Sequence, residues 1–183
     1  MKRVERIRNH PLYISNQQRI DEMEVNRIFC CHGVNHSLDV ARILYILVLE
    51  QGFSYDKDII YATALLHDIG RGLQYEENVS HHEAGARMAK DILRDCDFNE
   101  DEIAMITHAI AGHHMGRTYS EYSNDNELQH CPISQSDCGK QDDDSMFTDL
   151  FYKADKLSRN CFDCKASEEC YWEQEKRNLQ IKY

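Results

Sequence analysis

Apolar residues recur at helical spacing through most of the chain, and their pattern predicts helices over 17–31, 35–51, 56–68, 80–95, 99–115, 146–160 and 166–178. No convincing strand is visible. Asn35 or Ser37 can start the second of these helices, Gly52 can stop it, and Ser54 or Asp56 can open the third. The apolar run ILYILVL at 43–49 is too short to cross a bilayer and suits a buried helix face. Residues 119–146 break the pattern: they are polar, contain Pro132 and Gly139, and are expected to form an acidic insertion or lid loop. The expectation is an all-α bundle of about six to eight helices in one domain over 1–183, with a Cys-containing C-terminal extension over 161–183.

Composition narrows the classes. Eight Gly and two Pro in 183 residues suit a helical fold, and 42% hydrophobic with 29% charged residues is an ordinary globular balance. The formal net charge is −11, and the 119–146 segment alone carries −6, from seven acids against Lys140. Such a chain lacks the basic surface that sequence-independent nucleic-acid or anionic-lipid binding needs, so neither partner is expected. The N-terminal MKRVERIRNHPLY has no apolar stretch behind its basic residues, so no signal peptide is read and a cytoplasmic location is expected. Ten His and eight Cys stand out, and in a reducing compartment the Cys are thiols or metal ligands rather than disulfides.

His and Asp gather at particular places: His36 in VNHSLDVARI, His67 and Asp68 in ALLHDIGR, His81 and His82 in SHHEAG, His108, His113 and His114 in ITHAIAGHHMG, and Asp155 in LFYKADKLSR. Each place adjoins an apolar helical stretch, where a side chain can be held rigidly. Imidazole and carboxylate together suit first-row divalent metals. Asp68 is the most telling, because it follows the apolar run ATALL and a buried carboxylate left unpaired costs several kcal/mol. A metal or strong donors must stand beside it.

The ordered series His36, the His67–Asp68 doublet and Asp155 resembles the HD-domain superfamily of metal-dependent phosphohydrolases, over roughly residues 25–160. The resemblance implies an HD-like helical bundle in which His36, His67, Asp68 and Asp155 ligate one metal and Asp68 bridges to a second. It implies two further ligands: His81, in a His-x-x-x-Gly spacing whose Gly85 allows close helix approach, and His113, in AIAGH. Five helical residues separate His108 from His113 by about 140°, so the two do not share a face. His114 is an alternate or third ligand, whereas His82 and His108 are assigned as ordinary helix residues. The expected cofactor is one or two ions of Mn, Fe, Co, Ni or Zn, because this donor set accepts them all.

The implied activity is hydrolysis of a phosphoester or phosphoanhydride, with a nucleotide as substrate, by metal-activated water. Asp68, Arg71 and Lys156 are the catalytic candidates, and Arg71, Lys156 and Arg159 the phosphate-binding ones. An HD-fold di-iron oxygenase and a non-catalytic regulatory module that merely holds metal are the alternatives. Separately, CFDCKASEECYW gives Cys161, Cys164 and Cys170, a thiol set that lacks the fourth ligand of a closed zinc site. If His36 and Asp155 meet at one metal, the segments before and after them approach each other. Cys30 is then the first choice of fourth ligand for a structural zinc, and His32 the second. Cys96, Cys131 and Cys138 have no metal assignment.

Overall fold

A computed structural model describes residues 1–112 and 143–183. Its helices are α1 (Lys2–Arg8), α2 (Pro11–Met23), α3 (Val34–Glu50), α4 (Lys57–Leu66), α5 (Arg71–Glu77), α6 (His81–Asp95), α7 (Glu100–Gly112) and α8 (Asp143–Leu157). Two 3₁₀ turns, Cys161–Asp163 and Gln174–Lys176, follow α8. Among the described residues there is no strand, and no helix is long and apolar enough to cross a membrane. The fold is all-helical, as the hydrophobic pattern predicts.

Helix α4 is the axis of the bundle. Its sequence, KDIIYATALL, buries seven of ten residues, so it is apolar on almost every side, as a helix enclosed by others must be. Asp56 opens it by accepting a hydrogen bond from the Asp58 amide at 2.7 Å. Helices α3, α7 and α1 pack on α4, and α8 closes the bundle against α3 and α7. Leu44, Leu47, Ile60, Leu66, Ile106 and Phe151 belong to one apolar cluster and are almost wholly excluded from water. Each such side chain contributes about 1.5–3 kcal/mol.

Several boundaries differ from those the sequence predicts, for identifiable reasons. The helix expected at 17–31 instead starts at Pro11, whose missing N–H is harmless in the first turn, with the His10 ring accepting from the Leu12 amide. It stops at Met23, and Val25 and Ile28 beyond it are exposed, so their apolar spacing does not mark a core face. No α-helix spans 166–178, which is turns and a 3₁₀ segment. Helices α1 and α5 were not expected, since each has seven residues and little apolar content. Arg3 explains the docking of α1: it donates to Asp58 Oδ2 at 3.0 Å and Glu102 Oε2 at 2.7 Å and lies over the Phe98 ring. At the start of α3 the cap is Gly33, with no side-chain hydrogen bond, rather than Asn35 or Ser37. Gly52 does end α3: at φ +73° it lets the Phe53 amide reach back to Val48 O at 3.0 Å. Of the expected loop, residues 143–146 already belong to α8, whereas 119–142 lie outside the described residues.

Glu24, just past α2, organises the connection to α3. Its carboxylate accepts from the His32 amide at 2.7 Å and contacts the His32 ring and the Tyr75 hydroxyl. Burial alone would push its pKa up, but hydrogen bonds from His32 and Tyr75 outweigh it and pull the value down to about 2. Because the folded value lies below the unfolded one of about 4.3, this group stabilises the chain above roughly pH 4.5. That contribution drains away as pH falls toward 2. Acid unfolding followed by circular dichroism is therefore expected to be steeper between pH 4.5 and 2 for the native chain than for Glu24→Gln. At pH 7 the variant should be less stable by about 1–3 kcal/mol.

The turn between α4 and α5 crosses the start of α6 almost backbone to backbone. A Cβ on Gly70 would collide with the carbonyl oxygen of His81 and lie 2.7 Å from the Gly85 amide nitrogen. A Cβ on Gly85 would meet His67 O at 3.4 Å, an ordinary contact. The stricter demand for a missing side chain thus falls on Gly70, not on Gly85 as the sequence pattern suggested. Gly70→Ala is expected to lower stability by about 1–3 kcal/mol, as overpacking does. Gly85→Ala should change it by less than about 1 kcal/mol, and thermal melts of the two variants distinguish them.

Candidate metal centre

Four helices deliver the His and Asp side chains to one place. His36 stands in the first turn of α3, His67 caps the C-terminus of α4 with Asp68 following it, His81 opens α6, and Asp155 lies in the last turn of α8. The Nε2 atoms of His36 and His67 are 3.3 Å apart. Asp68 Oδ2 lies 2.9 Å from His67 Nε2 and 3.6 Å from His36 Nε2. Asp155 Oδ1 lies 3.4 Å from His36 Nε2 and 3.9 Å from His67 Nε2. His36, His67 and Asp155 alone present three ligand atoms within 4.8 Å of one another.

Hydrogen bonding fixes which ring nitrogens carry lone pairs. His67 Nδ1 is 2.7 Å from the Ala64 carbonyl, which can only accept, so Nδ1 holds the proton and Nε2 the lone pair. At His36 the argument runs through Ser158. The Ser158 hydroxyl donates to Asp155 O at 2.7 Å, so its oxygen accepts from His36 Nδ1 at 3.2 Å. When the His36 ring is neutral, its lone pair is therefore again on Nε2. Two lone pairs and two carboxylate oxygens face one point, the donor chemistry of a divalent transition-metal site.

Each carboxylate divides its oxygens in the same way. Asp68 gives Oδ2 to the histidines and Oδ1 to Arg71 Nε at 2.9 Å, and Asp155 gives Oδ1 to the histidines and Oδ2 to Lys156 Nζ at 2.7 Å. Burial opposes ionisation of both acids, yet neighbouring His67, His36, Arg71 and Lys156 hold both pKa values well below the carboxylate range. The same arrangement acts in reverse on His36. Burial alone would lower its pKa, and hydrogen bonds to Asp155 and Asp68 push it up to about 9 instead. The site therefore demands positive charge. The C-termini of α4 and α8 reinforce this by directing the negative ends of their dipoles inward.

The other expected residues divide. His81 is buried, with Nε2 3.8 Å from Asp68 Oδ1, so Asp68 stands between the His36–His67 pair and His81. His108 is exposed. His113 and His114 lie outside the described residues, as do Cys131 and Cys138. A cavity of about 440 Å³ opens beside the centre, and His36 and Asp155 reach its wall together with Arg71, Lys156 and Arg159. Arg159 lies over the Trp172 ring at 4.6 Å. Cys30, Cys161, Cys164 and Cys170 line the same cavity. Sequence reasoning missed Ser158 as the residue that orients His36. Its signal was the spacing, since three residues after Asp155 is one helical turn along the same face.

Comparison with known proteins agrees with this geometry. The model of the HD domain matches residues 33–160, which include His36, His67, Asp68, His81 and Asp155. A Clostridium beijerinckii protein described as uncharacterized is 38% identical over 183 residues, all of both chains. Ribonuclease Y 1 of Pediococcus pentosaceus is 36% identical over 83 residues, 45% of this chain but 14% of that one. Ribonuclease Y of Enterococcus faecalis is 36% identical over 81 residues, 44% of this chain and again 14% of its own. No solved structure matches. With the His/Asp centre, the helical bundle and the family match in agreement, this chain belongs to the HD domain family, a superfamily of metal-dependent phosphohydrolases.

Proposed function

We propose that the protein hydrolyses a phosphoester or phosphoanhydride bond of a small phosphorylated molecule, a nucleotide, using a divalent transition metal held by His36, His67, Asp68 and Asp155. The observation that carries this reading is the convergence of two Nε2 lone pairs and two carboxylate oxygens at the wall of a cavity that also presents Arg71, Lys156 and Arg159. Bound there, the ion would lower the pKa of a coordinated water toward ~7 and polarise the phosphoryl group. Mn, Fe, Co, Ni and Zn all suit these donors. His81 and His113 are the candidates for a second ion, with His114 as alternate.

The chain's own residues have separable tasks. Asp68, braced by Arg71, orients the nucleophilic water between the His36–His67 pair and His81. Lys156 and Arg159 bind phosphate oxygens, which a chain of net charge −11 can do only through such a local basic wall. Tyr171 and Trp172 line the same cavity, stacked at 5.7 Å with an interplanar angle of 29°. With Trp172 covered by Arg159, the exposed Tyr171 ring offers a flat surface to a nucleobase, which favours a nucleotide over a sugar phosphate. The free thiols suit a reducing compartment, so we place the activity in the cytoplasm. The Ribonuclease Y relatives carry a name that denotes cleavage of RNA, another phosphoester, although this chain matches only a small part of them.

Release of phosphate or nucleoside monophosphate from a panel of nucleotides, with a short RNA alongside, tests the reading in the presence of each metal. The native chain should turn over at least one nucleotide, and Asp68→Ala should lose activity by at least about 10²-fold, the weight of several kcal/mol of metal-derived stabilisation. Turnover of the RNA alone would reassign the substrate. Activity that survives Asp68→Ala would contradict the site.

A further inference from the structure

We propose that Cys30, Cys161, Cys164 and Cys170 bind one zinc ion, separate from the His/Asp centre, which ties the segment before α3 to the tail after α8. Two stretches far apart in sequence bring these thiols to the wall of one cavity, with Cys30 near Cys161 and Cys164. Cys161 and Cys164 flank a 3₁₀ turn, and the Cys164 amide returns to Cys161 O at 3.4 Å, so the chain folds back on itself as a Cys-x2-Cys ligand pair requires. All four are free thiols. Thiolates without imidazole or carboxylate select soft or borderline ions, and a set of four with no open position is a structural zinc site.

The structure separates Cys30 from its neighbours. Burial, together with the nearby Cys161 and Cys164, pushes the Cys30 thiol pKa up. Cys31, by contrast, lies against the Arg27 and Phe29 carbonyls and near Glu24 and Asp21. His32, the second choice from sequence, has its Nδ1 2.5 Å from Glu24 Oε1 and is held toward α5 through Tyr75. Four thiolates around Zn²⁺ leave a net charge of −2, and Arg27, Arg159, Lys176 and Arg177 line the same cavity as counter-charges.

The tail itself calls for a cross-link. Across residues 158–183 Ala166 is the one buried apolar residue, and none of the stretch is α-helical. Arg177 donates to the carbonyls of Ser167, Cys170 and Trp172, and Asn178 to those of Lys156, Leu157 and Arg159. Those bonds shape the loop without supplying a core, the situation in which small substructures rely on a metal. Among the described residues the cysteines do not form a three-atom group within 4.8 Å as His36, His67 and Asp155 do. Ligation would bring the thiols closer together than they stand here. Because Cys30 precedes His36 by six residues and Cys161 follows Asp155 by six, that movement bears on both helices of the His/Asp centre.

Cobalt(II) titrated into the reduced full-length chain tests this. Thiolate ligation gives a near-ultraviolet sulfur-to-cobalt band that the His/Asp centre cannot produce. Cobalt added to saturation should generate it, and zinc added in turn should abolish it and raise the melting temperature. The band should vanish in the Cys161→Ser/Cys164→Ser double variant, fall by about a quarter in Cys30→Ser as one of four thiolates is lost, and stay unchanged in Cys31→Ser and Asp68→Ala. Circular dichroism of each variant verifies folding. Should the double variant fail to fold, protection of four thiols from alkylation by zinc in the native chain decides the matter. The proposal is overturned by absence of the band and of zinc protection in the native chain, by its survival in a folded double variant, or by an iron–sulfur cluster with acid-labile sulfide in the chain as purified.

Discussion

The structure depends on one electrostatic constraint: two carboxylates, the buried Asp68 and the largely enclosed Asp155, face Nε2 of His36 and His67 at the ends of three helices. Charges so placed are tolerable only when compensated, since an uncompensated buried charge costs several kcal/mol. Arg71 and Lys156 neutralise the outer oxygens, and the inner ones call for a cation. A proton on His36 can supply part of that charge, and Asp155 and Asp68 push the ring's pKa up to about 9 against the effect of burial. A divalent ion supplies more, and with four directed ligands instead of one shared proton.

Helix ends are what make such a cluster possible. A side chain in mid-helix α4 would be enclosed by α3, α7 and α1, whereas His67 and Asp68 emerge where the helix stops and the chain turns. The turn fits only because Gly70 passes the backbone of α6 without a side chain, which sets His81 against Asp68. The packing that stabilises the bundle and the geometry that suits metal chemistry are thus one arrangement.

How much of this was legible in the sequence depends on where each signal lies. The buried faces of α3, α4, α6 and α7 are long and regular, and their periodicity places them well. Short elements escape it: α1 is fastened through the Arg3 ion pairs, a tertiary fact with no local trace, and α2 was misplaced because exposed Val25 and Ile28 mimic a core face. At the site, His and Asp beside apolar runs marked the candidates, the HD resemblance singled out His36, His67, Asp68 and Asp155, and the structure brings these four together with His81. Ser158 could not be singled out, because a serine at a helix end is ordinary until its partner from α3 is known. The cysteines illustrate the same limit, since spacing defines the Cys161–Cys164 pair but only the fold brings Cys30 toward it.

The account stands on a divalent ion at the meeting point of His36, His67, Asp68 and Asp155. Anomalous diffraction from crystals of the manganese-loaded chain measures this most directly, because manganese favours nitrogen and oxygen over thiolate and so reports on this centre alone. The account predicts an anomalous peak within bonding distance of both Nε2 atoms and both carboxylates, with Ser158 still accepting from His36 Nδ1. A saturated crystal with no peak there, or with manganese bound elsewhere while His36 keeps its proton between the two aspartates, would contradict it.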